Sequence, residues 1–136
     1  MNKKGCPCGS GQSYLLCCEP YHKGKFAPTP AVLLRSRYSA YALNLARYII
    51  DTTHPENPGY QRDFKQWEEQ IADFSSSHLF ERVEILEMEN RGEEVSIRFI
   101  AHLKRGKESA SFIEKSLFVK KNGRWLYRDG TIERRL

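Results

Sequence analysis

All four cysteines of this 136-residue chain lie between residues 6 and 18, as Cys6-Pro7-Cys8 and then Cys17-Cys18. No other feature restricts the fold as much, because four sulfurs on so short a segment must either converge on something or be oxidised in pairs. Gly9-Ser10-Gly11 permits a tight turn, whose backbone N–H groups can donate to sulfur and ease its charge. Four thiolates meeting tetrahedrally, with metal–sulfur bonds near ~2.3 Å, make a closed zinc site. One structural Zn²⁺ held by Cys6, Cys8, Cys17 and Cys18 is therefore the expected arrangement. Three alternatives stand beside it. Two disulfides could form in any of three pairings, but a bridge between neighbouring Cys17 and Cys18 is strained. A redox dithiol usually shows C-x-x-C, which is absent. An iron–sulfur cluster uses the same ligands at other spacings. His22, four residues after Cys18, is a further candidate ligand, although four thiolates already fill a structural site; its plain alternative is a solvated loop histidine.

No apolar run approaches a membrane span, and Met1-Asn2-Lys3-Lys4 has no apolar stretch behind it, so a secretory signal is not expected. The chain is read as cytoplasmic, where thiols stay reduced. The net charge of +5 is unevenly placed: residues 1–53 carry seven Lys/Arg against two acids, and the remainder balances. Four thiolates on one Zn²⁺ would lower the total to about +3. That leaves a mild basic surface, with Lys3, Lys4, Lys23 and Lys25 as candidate docking residues, and only a weak case for nucleic acid.

Thr29-Pro30 is a helix start, with Thr as cap and Pro in the first turn. Leu34, Tyr38, Tyr41, Leu45 and Tyr48 share one helical face, which predicts a helix running to about Asp51, stopped by His54-Pro55 and Pro58-Gly59. Arg37 lies beside that stripe, where an arginine either snorkels to water or pairs with a buried carboxylate. Tyr60, Phe64, Trp67, Ile71 and Phe74 predict a second helix with an aromatic core face. From about His78 the period becomes two: Val95, Ile97, Phe99, Ala101 and Leu103 alternate with polar positions. Strands are predicted near 79–90, 93–104, 109–120 and 125–132, joined by short turns that include Asn122-Gly123. The fold class is α+β, with helices packed on an antiparallel four-stranded sheet. Residues 1–28 form the cysteine segment and connector, and 29–136 the main domain.

Phe112, Glu114, Ser116 and Phe118 share one face of the third strand, and Trp125, Tyr127 and Asp129 one face of the fourth. Carboxylates among aromatics describe either a pocket acid or a buried ion pair of Arg37 with Glu114 or Asp129. An ion pair or plain exposure is the preferred reading; Arg37, Tyr38, Glu114, Trp125 and Asp129 are the pocket candidates. His54 is read as a turn residue and His102 as solvated. No catalytic triad order, phosphate loop or H-E-x-x-H is present.

The stretch CPCGSGQSYLLCC resembles the SEC-C motif, a short zinc-binding segment also found in the preprotein translocase ATPase. PYHKGKFAPTPAVLLRSRYSAY, THP at 53–55, IEKSLF at 113–118 and NGRWLYRDG at 122–130 resemble the YchJ-like family of uncharacterised bacterial proteins. Many members have Trp where this chain has Thr53, and some carry a second SEC-C motif. The resemblance implies an NTF2-like (cystatin-like) cone, a curved sheet wrapping helices around a cavity, behind an N-terminal zinc knuckle. It also favours a buried partner for Arg37, because Arg35-Ser36-Arg37-Tyr38 matches a family motif. The resulting expectation is a non-enzymatic, zinc-binding docking module for a protein partner, ribosomal or translocation-related. The alternative is a small-molecule binding protein, or an isomerase/hydrolase-type enzyme, using the cone cavity.

Overall fold

The computed structural model describes residues 5–136. Lys3 and Lys4 lie outside the described residues. After a 3-10 turn at Tyr14–Leu16 come α1 (Glu19–His22), α2 (Pro30–Ala42), α3 (Ala46–Asp51) and α4 (Phe64–Ser77). Five strands follow: β1 (Leu79–Asn90), β2 (Glu94–Arg105), the short β3 (Glu108–Ser109), β4 (Phe112–Lys121) and β5 (Arg124–Arg135). No helix among the described residues is long and apolar enough to cross a membrane.

Thr29 caps α2 as its sequence predicts, accepting the Val32 N–H at 3.2 Å. The helix does not continue to Asp51. It stops at Ala42, and Asn44 turns left-handed with φ 56°, a conformation asparagine tolerates better than most residues. The Leu45 N–H then donates to Ala40 O at 2.8 Å, and α3 starts in a new direction. Leu45 consequently leaves the apolar stripe and is 36% exposed. Tyr48, Ile49 and Ile50 instead join Trp67 and Ile71 in a second core cluster. The second predicted helix starts at Phe64, not Tyr60, because Asp63 accepts the Gln66 N–H at 3.0 Å and fixes the first turn there. Tyr60 still packs edge-on against Trp67, with ring centroids 5.1 Å apart.

The sheet is an antiparallel meander in the order β1-β2-β4-β5, with β3 paired to β2. All five alternating residues of β2, Val95 to Leu103, are buried on the inner face. Asn122 and Gly123 both take positive φ, 52° and 79°, the requirement of a tight hairpin turn between twisted strands. One irregularity matters. Phe118 opposes Tyr127, but Leu117 opposes Asp129, so Arg128 is an extra residue. Such a bulge reverses the side-chain faces beyond it.

The helices cover the inner face of the sheet. The Tyr38 hydroxyl on α2 donates to His102 O of β2 at 2.8 Å. The segment after α3 is tied to β5 by Tyr127 N–H to Thr52 O at 2.8 Å and His54 N–H to Tyr127 O at 2.9 Å. The cysteine knuckle is tied down as well. Val83 N–H of β1 donates to Cys8 O at 3.1 Å, and Gly9, at φ 87°, lies so close to Arg82 that a Cβ there would overlap that side chain.

Candidate metal centre and candidate cavity site

The four sulfurs lie within 4.8 Å of one another. Cys8 and Cys17 Sγ are 3.7 Å apart, and Cys17 and Cys18 Sγ 3.9 Å. A tetrahedron with metal–sulfur bonds of ~2.3 Å has sulfur–sulfur edges of about 3.8 Å, whereas a disulfide needs about 2.05 Å. All four cysteines are free. The cage therefore fits one tetrahedral metal ion. Hydrogen bonds from Cys18, then Cys6, push the Cys8 thiol far down, and bonds to Cys6 and Cys8 push the Cys18 thiol far up. Sulfurs this close cannot all ionise without a cation among them.

Two hydroxyls finish the cage. Ser39 Oγ on α2 lies 3.3 Å from both Cys6 and Cys18 Sγ, and Ser10 Oγ 3.2 Å from Cys17 Sγ. Cys6, Cys8 and Cys18 are buried in the same core cluster as Leu33, Tyr38 and Val83.

His22 is neither a ligand nor a solvated loop residue. Its Nε2 lies 2.8 Å from Ser36 O and its Nδ1 2.7 Å from the Tyr14 hydroxyl. A carbonyl can only accept, so Nε2 carries a proton, and in the neutral ring Nδ1 accepts from the Tyr14 hydroxyl. Burial lowers its pKa, against smaller raising effects of the Ser36 carbonyl and Glu19. A depressed folded-state pKa means that the unfolded chain takes up the proton first, so this stability is full above about pH 6.5 and falls as the solution is acidified below that. The expected result is an acid loss of stability that His22→Gln reduces, read from urea midpoints at a series of pH values.

A cavity of about 330 Å³ lies between α2, α4 and the inner face of the sheet. Its walls are mostly aromatic, among them Trp67, Phe74, Phe99 and Phe118. One end is polar. Glu114 Oε2 accepts from Ser116 Oγ at 2.6 Å and from the Tyr127 hydroxyl at 2.9 Å. Arg37, 7% exposed, donates through Nη1 to Ile49 O (3.1 Å), Thr52 Oγ1 (2.8 Å) and Thr53 Oγ1 (3.1 Å). Its guanidinium lies 4.5 Å from the Tyr127 ring centroid. Burial, then the Glu114 charge, pushes the Tyr127 hydroxyl far up, so it stays a donor.

Gly130 lies against this pair, and a Cβ there would overlap both the Tyr127 hydroxyl and the Glu114 carboxylate. Gly130→Ala is expected to cost about 1–3 kcal/mol through overpacking, read as a lower urea midpoint with unchanged slope.

Residues 29–130 match the family model described as the YchJ middle NTF2-like domain. A UPF0225 protein of Deinococcus radiodurans is 38% identical over 128 residues, covering 93% of this chain and 88% of the relative. The chain belongs to the YchJ-like, UPF0225 family. Among solved structures, a SEC-C motif-containing protein from Rhodopseudomonas palustris is similar at 34% identity and a TM-score of 0.78, over 96% of this chain and 98% of that one. A SEC-C motif-containing protein from Psychrobacter arcticus is similar at 25% identity and a TM-score of 0.74, over 96% and 84%. The NTF2-like α+β fold that the family resemblance implies is the fold observed.

Within this YchJ-like frame the pocket candidates separate. Arg37, Tyr38 and Glu114 line the cavity. The expected ion pair of Arg37 with Glu114 or Asp129 is not formed among the described residues; neutral oxygens hold Arg37, and it stacks on the Tyr127 ring. Thr53 supplies one of those oxygens. Asp129 is exposed, turned off the inner face of its strand by the Arg128 bulge. Trp125 is buried in the main core and does not line the cavity. His102 faces Glu84 at 2.9 Å. Lys23 and Lys25 are exposed, with Lys25 5.8 Å over the Tyr21 ring. Ser39 and Gly130 escaped the sequence reading. Ser39 is a small residue on the buried face of α2, where only a close neighbour explains its size, and Gly130 falls inside the predicted 125–132 strand, where nothing in the sequence shows that Glu114 and Tyr127 lie against it.

Proposed function

We propose that the four cysteines hold one structural zinc ion and that the NTF2-like domain is a binding chamber for a small, largely apolar molecule anchored near Glu114. The zinc reading is supported by an all-sulfur, four-ligand cage with no position left open. Bound there, zinc supplies cross-linking and charge neutralisation to the buried thiolates, while Ser39 and Ser10 orient Cys6, Cys18 and Cys17.

One observation carries the chamber reading: an aromatic cavity of about 330 Å³ ends in an oriented carboxylate. This lies at the lower end of the range of roughly 300–1,000 Å³ typical of ligand pockets, and a few placed polar groups in an apolar wall is their usual make-up. Ser116 and Tyr127 both donate to Oε2, which fixes the carboxylate. Naphthalene is the first probe. It is expected to bind the wild type by calorimetry and not to bind Ala101→Phe, whose added ring fills the space. Equal binding by both proteins would remove the chamber.

A docking role for the knuckle is a second reading, favoured by adjacent Leu15 and Leu16, which are 64% and 77% exposed. With Lys23 and Lys25 nearby in sequence, they suit a protein partner, ribosomal or translocation-related, presenting an apolar anchor and acidic flanks. Co-sedimentation with ribosomes, lost in Leu16→Asp while zinc content is kept, is the expected result; no co-sedimentation of the wild type contradicts the ribosomal version. Both roles suit a cytoplasmic protein, since a reducing compartment preserves thiolate zinc sites.

A further inference from the structure

We propose that the cavity selects a neutral ring compound whose polar head presents a hydrogen-bond donor and an acceptor side by side, the lactam and carboxamide class. This rests on the chamber reading above and specifies its ligand.

The polar end of the cavity holds both kinds of unused group. Glu114 receives its two protein hydrogen bonds on Oε2, so Oε1 has no donor among the described residues. Arg37 makes its three side-chain hydrogen bonds through Nη1, leaving Nε and Nη2 without a protein acceptor among those residues. Tyr41 lines the same cavity, and its hydroxyl has no hydrogen-bond partner among them either. Burial pushes the Tyr41 hydroxyl up, with smaller opposing influences from Arg37 and Glu114, so it remains a donor. One acceptor and several donors are therefore unused on residues that line the same cavity.

Charge then decides the class. Arg37 and Glu114 bring one positive and one negative charge to this end, so the site is neutral as a whole. A ligand anion would be buried near Glu114, and a ligand cation near Arg37, each an uncompensated charge in a low-dielectric pocket. A neutral donor–acceptor head meets both: its N–H donates to Glu114 Oε1, and its carbonyl accepts from Tyr41 or Arg37. The flat faces of Trp67, Phe74, Phe99 and Phe118 suit a ring, and the volume suits one or two fused rings.

A matched series on one bicyclic frame tests this by calorimetry: carbostyril (the lactam), naphthalene (no head), naphthoate (anion) and naphthylmethylammonium (cation). Carbostyril is expected to bind at least about tenfold tighter than the other three, the size of one or two hydrogen bonds to charged groups. Tyr41→Phe removes a hydroxyl that the fold does not use. It is expected to weaken carbostyril about fivefold and leave naphthalene unchanged. Glu114→Gln leaves the Arg37 charge unbalanced and is expected to weaken carbostyril while strengthening naphthoate. Naphthalene binding as tightly as carbostyril, or either ion binding tighter, would overturn the proposed class while leaving the chamber standing. Failure of all four, naphthalene included, would overturn the chamber and the class together.

Discussion

Replacing Cys8 by serine is expected to abolish metal binding and to remove most of the stability of the whole chain. Structural zinc contributes about 10–16 kcal/mol of apparent binding free energy in zinc-finger peptides, as much as the entire net stability of an ordinary domain, roughly 5–15 kcal/mol. In this fold the loss cannot stay within the N-terminal segment. Ser39 of α2 touches two of the sulfurs, Val83 of β1 donates to the Cys8 carbonyl, and three of the cysteines are buried in the main core cluster. An empty cage would leave close, buried sulfurs and loosen the α2–β1 contact. Protein prepared without metal-affinity steps is expected to contain about one zinc per chain, and Cys8→Ser none, with a collapsed unfolding temperature. A metal-free variant of full stability contradicts the structural role.

Replacing Arg37 by methionine is expected to cost about 3–5 kcal/mol. The guanidinium satisfies three oxygens at the junction of α3 with the following segment and stacks on the Tyr127 ring. Methionine fills a similar length but donates nothing. Each buried acceptor left short costs about 1–3 kcal/mol, and the lost cation–π contact up to about 2 kcal/mol. Against this, burying an apolar side chain in place of a charge recovers desolvation energy, which is why the expected cost is less than the simple total. Arg37→Lys keeps the charge but not the planar reach, and is expected to fall between the two. Urea midpoints measure all three proteins. A methionine variant as stable as wild type would show that these contacts contribute little.

The sheet was legible because β2 alternates strictly and Asn122-Gly123 marks its hairpin. The cysteine cage was legible because its residues are close in sequence. The rest depended on events that carry no periodic signal. Asn44 breaks one apparent helix by a single left-handed residue, which a stripe of apolar positions cannot reveal. The Arg128 bulge moves Asp129 to the outside, whereas strict alternation keeps it beside Tyr127. For Arg37 the helical position allows either snorkelling to water or burial with a carboxylate, and neither describes it: the neutral oxygens that hold it lie 12 to 16 residues away in sequence, beyond the Asn44 break. The cavity itself follows from how α2 and α4 sit on the sheet, and no local pattern encodes that spacing. Its expectation came from the YchJ-like resemblance alone.

The most direct test of the binding chamber is an amide and indole chemical-shift map of the zinc-loaded protein titrated with naphthalene. Saturating shifts are expected at Trp67, Phe99, Phe112 and Tyr127, with Leu15 and Leu16 unmoved. Shifts confined to the Leu15–Leu16 surface, or no shifts at all, would contradict a ligand site between helices and sheet.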